Sequence, residues 1–152
     1  MNARETIMEA LCAQLAQARF SAPINANDTW AMLSRRLRLW SDVSAADQPA
    51  LFVTEHAENI AFASETLPGK TTLNVDLFVY ISSGQDPQTI PARDLNIALD
   101  ALTEALAPPP GSDRQTLGGL VYHCRIEGRI VKDPGDLDGQ GLALVPLKIL
   151  AP

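Results

Sequence analysis

Apolar residues recur every three or four positions through the first twenty residues. Ile7, Leu11, Leu15 and Ala18 form one stripe, with Arg4, Glu5, Glu9, Gln14 and Gln17 between them. This period predicts an amphipathic helix over 2–20, closed by Pro23 and followed by a turn at 25–28. Over 30–43 two periods compete: Trp30, Leu33, Leu37 and Trp40 suit a helix, whereas Arg36, Leu37, Arg38 and Leu39 alternate as in a strand. After Pro49 the run Ala50, Leu51, Phe52, Val53 predicts a short strand, and Pro68-Gly69 a turn. The cleanest alternation starts at Lys70. Leu73, Val75, Leu77, Val79 and Ile81 point one way, and Asn74, Asp76, Phe78, Tyr80 and Ser82 the other, predicting a strand over 70–82. Phe78 and Tyr80 imply that its second face is also covered.

Beyond a loop at 83–87, Pro91 suits a first helical turn. Leu95, Leu99, Leu102 and Leu106 then extend a helix over 91–107, stopped by Pro108-Pro109-Pro110-Gly111. Leu120, Tyr122, Cys124 and Ile126 alternate with Val121, His123, Arg125 and Glu127, predicting a strand over 120–132. A glycine-rich polar connection at 133–141 leads to a last strand ending at Leu150, so 120–150 reads as a long C-terminal β-hairpin. Pro146 inside that last strand argues for an edge position or a bulge. The order points to an α+β fold: an antiparallel or mixed sheet flanked by two main helices.

With 152 residues the chain reads as one domain over 1–152, long enough to bury about 68–70% of its unfolded surface. Its net charge of −6 repels nucleic acid, which argues against a phosphate-gripping role but not against a pore through which DNA slides. Cys12 and Cys124 fall in apolar settings and read as two buried free thiols; no paired spacing suits zinc. No stretch has the length of a membrane span, and the first residues lack the apolar core of a signal peptide. The expectation is a protein made and kept in the cytoplasm until it is assembled.

Candidate chemistry is sparse. Pro68-Gly69-Lys70-Thr71-Thr72 resembles the end of a phosphate-binding loop, but Ser64 stands where that motif needs its first glycine, and a strand follows instead of a helix. His123 and Cys124 are adjacent in a strand and face opposite sides, and a pairing of His56 with Cys124 would need a third, orienting group. Asp133, Asp136 and Asp138 lack the regular ligand spacing of a calcium loop. Arg35, Arg36 and Arg38 cluster beside two tryptophans, an arrangement found on nucleic-acid surfaces but also on solvated or subunit-facing edges. No catalytic, cofactor-binding or metal site is expected. Arg35, Arg36, Arg38, Asp133, Asp136 and Asp138 are the candidate subunit or partner contacts, with the arginines meeting the acidic loop of a neighbouring subunit.

The order of short motifs along the chain carries a resemblance. After the leading helix come Trp40-Ser41-Asp42-Val43, then Pro49-Ala50-Leu51-Phe52-Val53-Thr54-Glu55-His56, and Pro68-Gly69-Lys70-Thr71-Thr72 opening the alternating strand. Leu95-Asn96 and Leu99-Asp100-Ala101-Leu102 follow on the second helix, then Gln115-Thr116-Leu117-Gly118-Gly119-Leu120-Val121, Ile126-Glu127-Gly128 and Gly141-Leu142-Ala143-Leu144-Val145-Pro146-Leu147. Over nearly its whole length this pattern resembles the tail-terminator and minor tail proteins of long-tailed phages. The resemblance implies a non-enzymatic virion protein without a cofactor, forming a ring, commonly hexameric, that caps the tail tube, ends its polymerisation and offers a docking surface to the neck. The implied partners are further copies of the chain, the tail tube protein and head–tail connector proteins, with DNA passing through the lumen and no membrane contact. The implied location is the virion tail or neck, assembled in the host cytoplasm. Competing expectations are a neighbouring head–tail joining protein, a small enzyme or ligand-binding domain, and a nucleic-acid-binding module, which the acidic charge disfavours.

Overall fold

The structure, a computed structural model, describes residues 4–152. Helix α1 (Arg4–Leu15) buries Ile7, Met8, Leu11 and Leu15. It ends earlier than its stripe suggests. Ala18 is buried, but in a tightened turn where its N–H reaches back to Leu15 O at 3.1 Å. Asn25 and Ala26 then adopt positive φ, and the chain loops back so that Phe20 N–H donates to Asp28 O at 2.8 Å. Residues 2 and 3 of the expected helix lie outside the described residues.

Among the described residues, six strands build one mixed sheet. At its centre β3 (Lys70–Ser82) and β6 (Gln140–Ala151) pair antiparallel along nearly their whole lengths. Strand β2 (Ala50–Ala61) flanks β3, also antiparallel, and carries the short β1 (Met32–Ser34) in parallel on its outer side. The other edge of β6 is shared by β4 (His123–Ile126) and β5 (Val131–Asp133). Helix α2 (Pro91–Ala105) connects β3 to the second half of the sheet. The α+β expectation, with a C-terminal strand paired back into the sheet, therefore holds.

The alternation read from β3 is the alternation observed. Leu73, Val75, Leu77, Val79 and Ile81 are buried, facing Ala143, Val145, Leu147 and Ile149 of β6 across the pleat and the apolar stripes of the helices above them. The second face of the sheet is covered at one end. Val43, Ala50, Phe52 and Tyr80 form a smaller buried cluster there, extended by Met32, Phe78 and Leu142. This explains 30–43, where neither competing period prevails. After β1 the segment runs irregularly over the sheet, with 3-10 turns at Trp40–Asp42 and Ala45–Asp47. It is pinned by side chains: Tyr80 Oη donates to Arg38 O at 2.6 Å, and Asn25 Nδ2 to Gln48 O at 3.0 Å. Trp30 turns the other way, into the main core, edge-on to Phe20 with centroids 5.2 Å apart.

Three expectations about the strands need correction. The strand expected over 120–132 is broken into β4 and β5, and β6 is an interior strand, not an edge. The break falls at Pro146, which also shows how an interior strand accommodates a proline. Pro146 lies opposite Asp76 of β3, and its carbonyl accepts from Glu127 N–H on the far side at 3.2 Å. A strand residue's N and O point the same way, so the nitrogen that cannot donate faces the gap between β4 and β5, and the ladder to β3 loses nothing. Gly128, at φ 125°, lies against the Pro146 ring, which a Cβ there would meet at 3.0 Å. The strand expected at 50–53 is three times longer, because its second half lies outside the core and carries no burial pattern to read.

Candidate functional site

The residues that suggested chemistry are kept apart. His56 is exposed on β2, its Nδ1 3.3 Å from Asp76 Oδ2, while Cys124 is buried on β4. Two strands lie between theirs in the sheet, a separation of about 14 Å at ordinary strand spacing. Burial pushes the Cys124 thiol up to about 12, so it is held protonated and unreactive. Lys70, Thr71 and Thr72 open β3 rather than a helix, so no helix N-terminus faces the glycine turn. Among the described residues no group of three or more His, Cys, Asp or Glu is placed to hold a metal ion. No helix among them is long and apolar enough to cross a membrane.

The acidic loop is self-satisfied. Asp133 Oδ1 accepts Gly135 N–H at 3.2 Å and Asp138 Oδ1 accepts Gln140 N–H at 2.9 Å, the local side-chain turns these residues favour. Gly139 docks the loop on the end of β3, its carbonyl accepting Ser83 N–H at 2.8 Å. With Trp40 the loop lines a hollow of about 310 Å³. The arginine segment thus runs up to the acidic loop within one chain. Arg35 is already engaged: it forms ion pairs with Glu5 of α1 and, at 3.4 Å, Glu55 of β2. The hydrogen bond from Arg35 draws the Glu5 carboxyl below its ordinary range. Arg36 and Arg38 are exposed and make no ion pair among the described residues.

The most conspicuous surface is one the sequence reading did not single out. Beyond a register shift between Glu55 and Ala57, β2 leaves the core, and from Glu55 to Ala61 every residue is exposed. With the start of β3 it forms a hairpin whose outer strand is exposed beyond that register shift, while Thr71–Leu73 of β3 still pair with β6. Its tip is apolar. Ile60, Phe62 and Leu67 are 58%, 67% and 55% exposed. Ile60 pairs with Thr71, on the helix-side face that Leu73 also occupies, while Lys70 and Thr72 face the other side. Gly69 makes the packing at the tip close: a Cβ there would meet Phe62 Cζ at 2.8 Å and Ile60 Cγ2 at 3.2 Å. Arg4 anchors the arm by pairing with Glu58, whose carboxyl this hydrogen bond holds low. Leu67, Pro68, Gly69 and Lys70 of the same tip wall a groove of about 410 Å³, completed by Arg114, Tyr122, His123, Leu150 and Pro152. The signal that could have exposed the arm is the alternation of Glu58, Ile60 and Phe62 before a proline–glycine turn.

Compared with protein-family models and with curated proteins, the chain matches none.

Proposed function

We propose that this chain is a structural subunit of a tailed-phage particle. In this reading copies of it close into a ring on the end of the tail tube, end its polymerisation and receive the neck. The observation that carries the reading is the β2–β3 hairpin with its exposed apolar tip. Three large apolar side chains held away from the core are costly to leave in water and mark a surface for another chain. The motif order that resembles tail terminators supports the same assignment, as does the negative charge, which would let DNA pass a ring lumen without adhering. Closure of head-to-tail contacts would consume every sticky end, so a ring can stop a polymer. Virion location follows from this role.

Light scattering over a concentration series, with negative-stain imaging, tests the proposal, followed by addition of purified tail tubes. A closed ring, or a cap seen on one end of the tubes, is the expected result. A protein that neither closes into rings nor caps tubes overturns it. Binding to isolated head connectors but not to tubes would assign it instead to the neighbouring head–tail joining position.

A further inference from the structure

We propose that the groove beside the hairpin tip is a binding site for a small amphipathic carboxylate, an aliphatic or aryl acid whose chain lies on the apolar walls and whose head group is held by Lys70, Arg114 and His123. The site does not depend on ring closure. Three of its residues share one face of the sheet. His123 lies directly opposite Leu150, and Leu150 opposite Thr72, so all three point the same way. Lys70 stands two residues before Thr72 on β3 and points that way too. Their neighbours Cys124, Ile149 and Leu73 are buried in the main core, so this is the face away from the helices. The smaller cluster of Val43, Ala50, Phe52 and Tyr80 covers that face at its other end. At this end its margins are the tip turn and the segments carrying Arg114 and Tyr122.

The groove holds about 410 Å³, within the range of small-molecule sites, which are mostly apolar with a few polar groups that fix orientation. Leu67, Pro68, Leu150 and Pro152 supply the apolar walls. The tip wall is already formed, because Ile60 and Phe62 pack against Gly69, so little ordering is left for binding to impose. Three features favour a carboxylate. None of the side chains lining the groove is acidic, although the chain carries a net charge of −6. Its two cations are uncommitted: Lys70 makes no ion pair among the described residues, and Arg114 reaches only the exposed Asp113, at 3.5 Å. Finally, His123 Nδ1 is buried with no hydrogen-bond partner among the described residues, a costly state that a polar head group relieves. With a proton on Nδ1 it donates to a carboxylate oxygen. Arg114 and His123 also line a neighbouring hollow of about 150 Å³, which puts them side by side where the two hollows meet. The planar fork of Arg114 suits the two oxygens of a carboxylate. With two cations and no helix N-terminus among its lining residues, the groove suits a monoanion better than a phosphate.

Octanoate is the probe, compared with octylamine, which has the same chain and the opposite charge, and with inorganic phosphate. Amide NMR spectra of the full chain follow the signals of Leu67, Tyr122, His123 and Leu150. Octanoate should shift this set to saturation and bind about tenfold or more tighter than octylamine, the step expected from one charge-assisted hydrogen bond. Lys70→Met combined with Arg114→Met, both at exposed positions, should weaken octanoate by about tenfold. Lys70→Glu combined with Arg114→Glu should reverse the preference in favour of octylamine, and the dispersion of the same spectra shows that each variant folds. Signals unmoved by octanoate up to about 10 mM, equal binding of the two head groups, unchanged affinities in both variant pairs, or phosphate shifting the same signals as strongly would each overturn the site. Groove signals that move with protein concentration alone would give the groove to a second copy and overturn it as well. None of these results bears on the ring proposal, which light scattering and tube capping decide separately.

Discussion

Gly139→Ala should unfasten the acidic loop from the body. Gly139 sits at φ 75°, and a Cβ there would lie 2.0 Å from the carbonyl oxygen of Gly84. Carbon and oxygen in close contact stay roughly 3.3 Å apart or more, so the two backbones must separate by over about 1 Å. That movement breaks the 2.8 Å bond from Ser83 N–H to Gly139 O, worth about 0.5–1.5 kcal/mol. Holding alanine in a left-handed conformation adds about 1–2 kcal/mol. With the residual crowding the expected loss is about 2–5 kcal/mol, or roughly 5–15 °C in Tm for a chain of this size. Gly84→Ala is the control: Gly84 has nearly the same φ, 77°, but nothing within 4 Å of its Cβ position. It should lose only the conformational part, about 1–2 kcal/mol. Urea unfolding measured alongside should show a lower midpoint for Gly139→Ala with an unchanged slope. Equal melting temperatures for the two variants would refute the claim that close approach, and not φ alone, fixes a glycine at 139.

Three further outcomes follow from the same structure. Leu77 is fully buried at the centre of the core, so Leu77→Ala should cost about 2–5 kcal/mol, read as a fall in the urea midpoint; a loss under about 1 kcal/mol would mean the site is not packed as described. Glu5, Glu58 and Glu127 have carboxyls held below the ordinary 4.5, by hydrogen bonds from Arg35, from Arg4, and from Lys148 with Arg125 respectively. Below pH 4.5 the unfolded chain therefore binds more protons than the folded one, so their contribution is complete above that pH and is lost as pH falls through the folded values; replacing all three by Gln should flatten the acid side of a Tm-against-pH curve, and an unchanged slope would refute the pairing. Cys124, buried with its thiol pushed up to about 12, should resist alkylation at pH 8 until the protein unfolds, and rapid labelling of the native chain at this position, read by mass spectrometry of its peptides, would contradict the burial.

Legibility in the sequence followed burial. The β3 strand was readable because one face is wholly apolar and interior, so selection for packing writes a period of two. Helix α2 was readable from its leucines and its proline boundaries. Residues 30–43 were not, because their side chains divide between two clusters on opposite faces of the sheet, and a segment serving two surfaces keeps neither period. The second half of β2 was invisible for the opposite reason: it buries nothing, so Thr54-Glu55-His56-Ala57-Glu58 carries no alternation, and only its partner strand makes it a strand. Among the candidate contact residues, the charged ones were easier to see in the sequence than the apolar ones. Arg35 is consumed within the chain by Glu5 and Glu55, and two of the three loop aspartates, Asp133 and Asp138, by their own backbone. Ile60 and Phe62 gave only a two-residue alternation before the proline–glycine turn, and Leu67 joined them only when the hairpin brought the three together.

The arm's chemistry also decides how it would be used. A two-stranded hairpin standing alone is marginal in water, and here only β3 is backed by β6, whose residues 149–151 pair with 71–73. The outer edge of β2 beyond Phe52 pairs with no strand among the described residues, so its backbone could accept an added strand from another molecule. Glu55 and Glu58 lie along this stretch, and Arg35 and Arg4 reach them from β1's C-terminal side and from α1. Charged side chains tied across an open edge are a standard obstacle to strand addition. The tip has no such guard, and its apolar groups are the ones left uncovered. Blocking the backbone while exposing side chains favours contact by a knob entering a cavity over extension of the sheet. Such a contact would have a defined orientation, which sheet extension by a bare edge would not impose, and the ring proposed above would need that orientation kept at every interface.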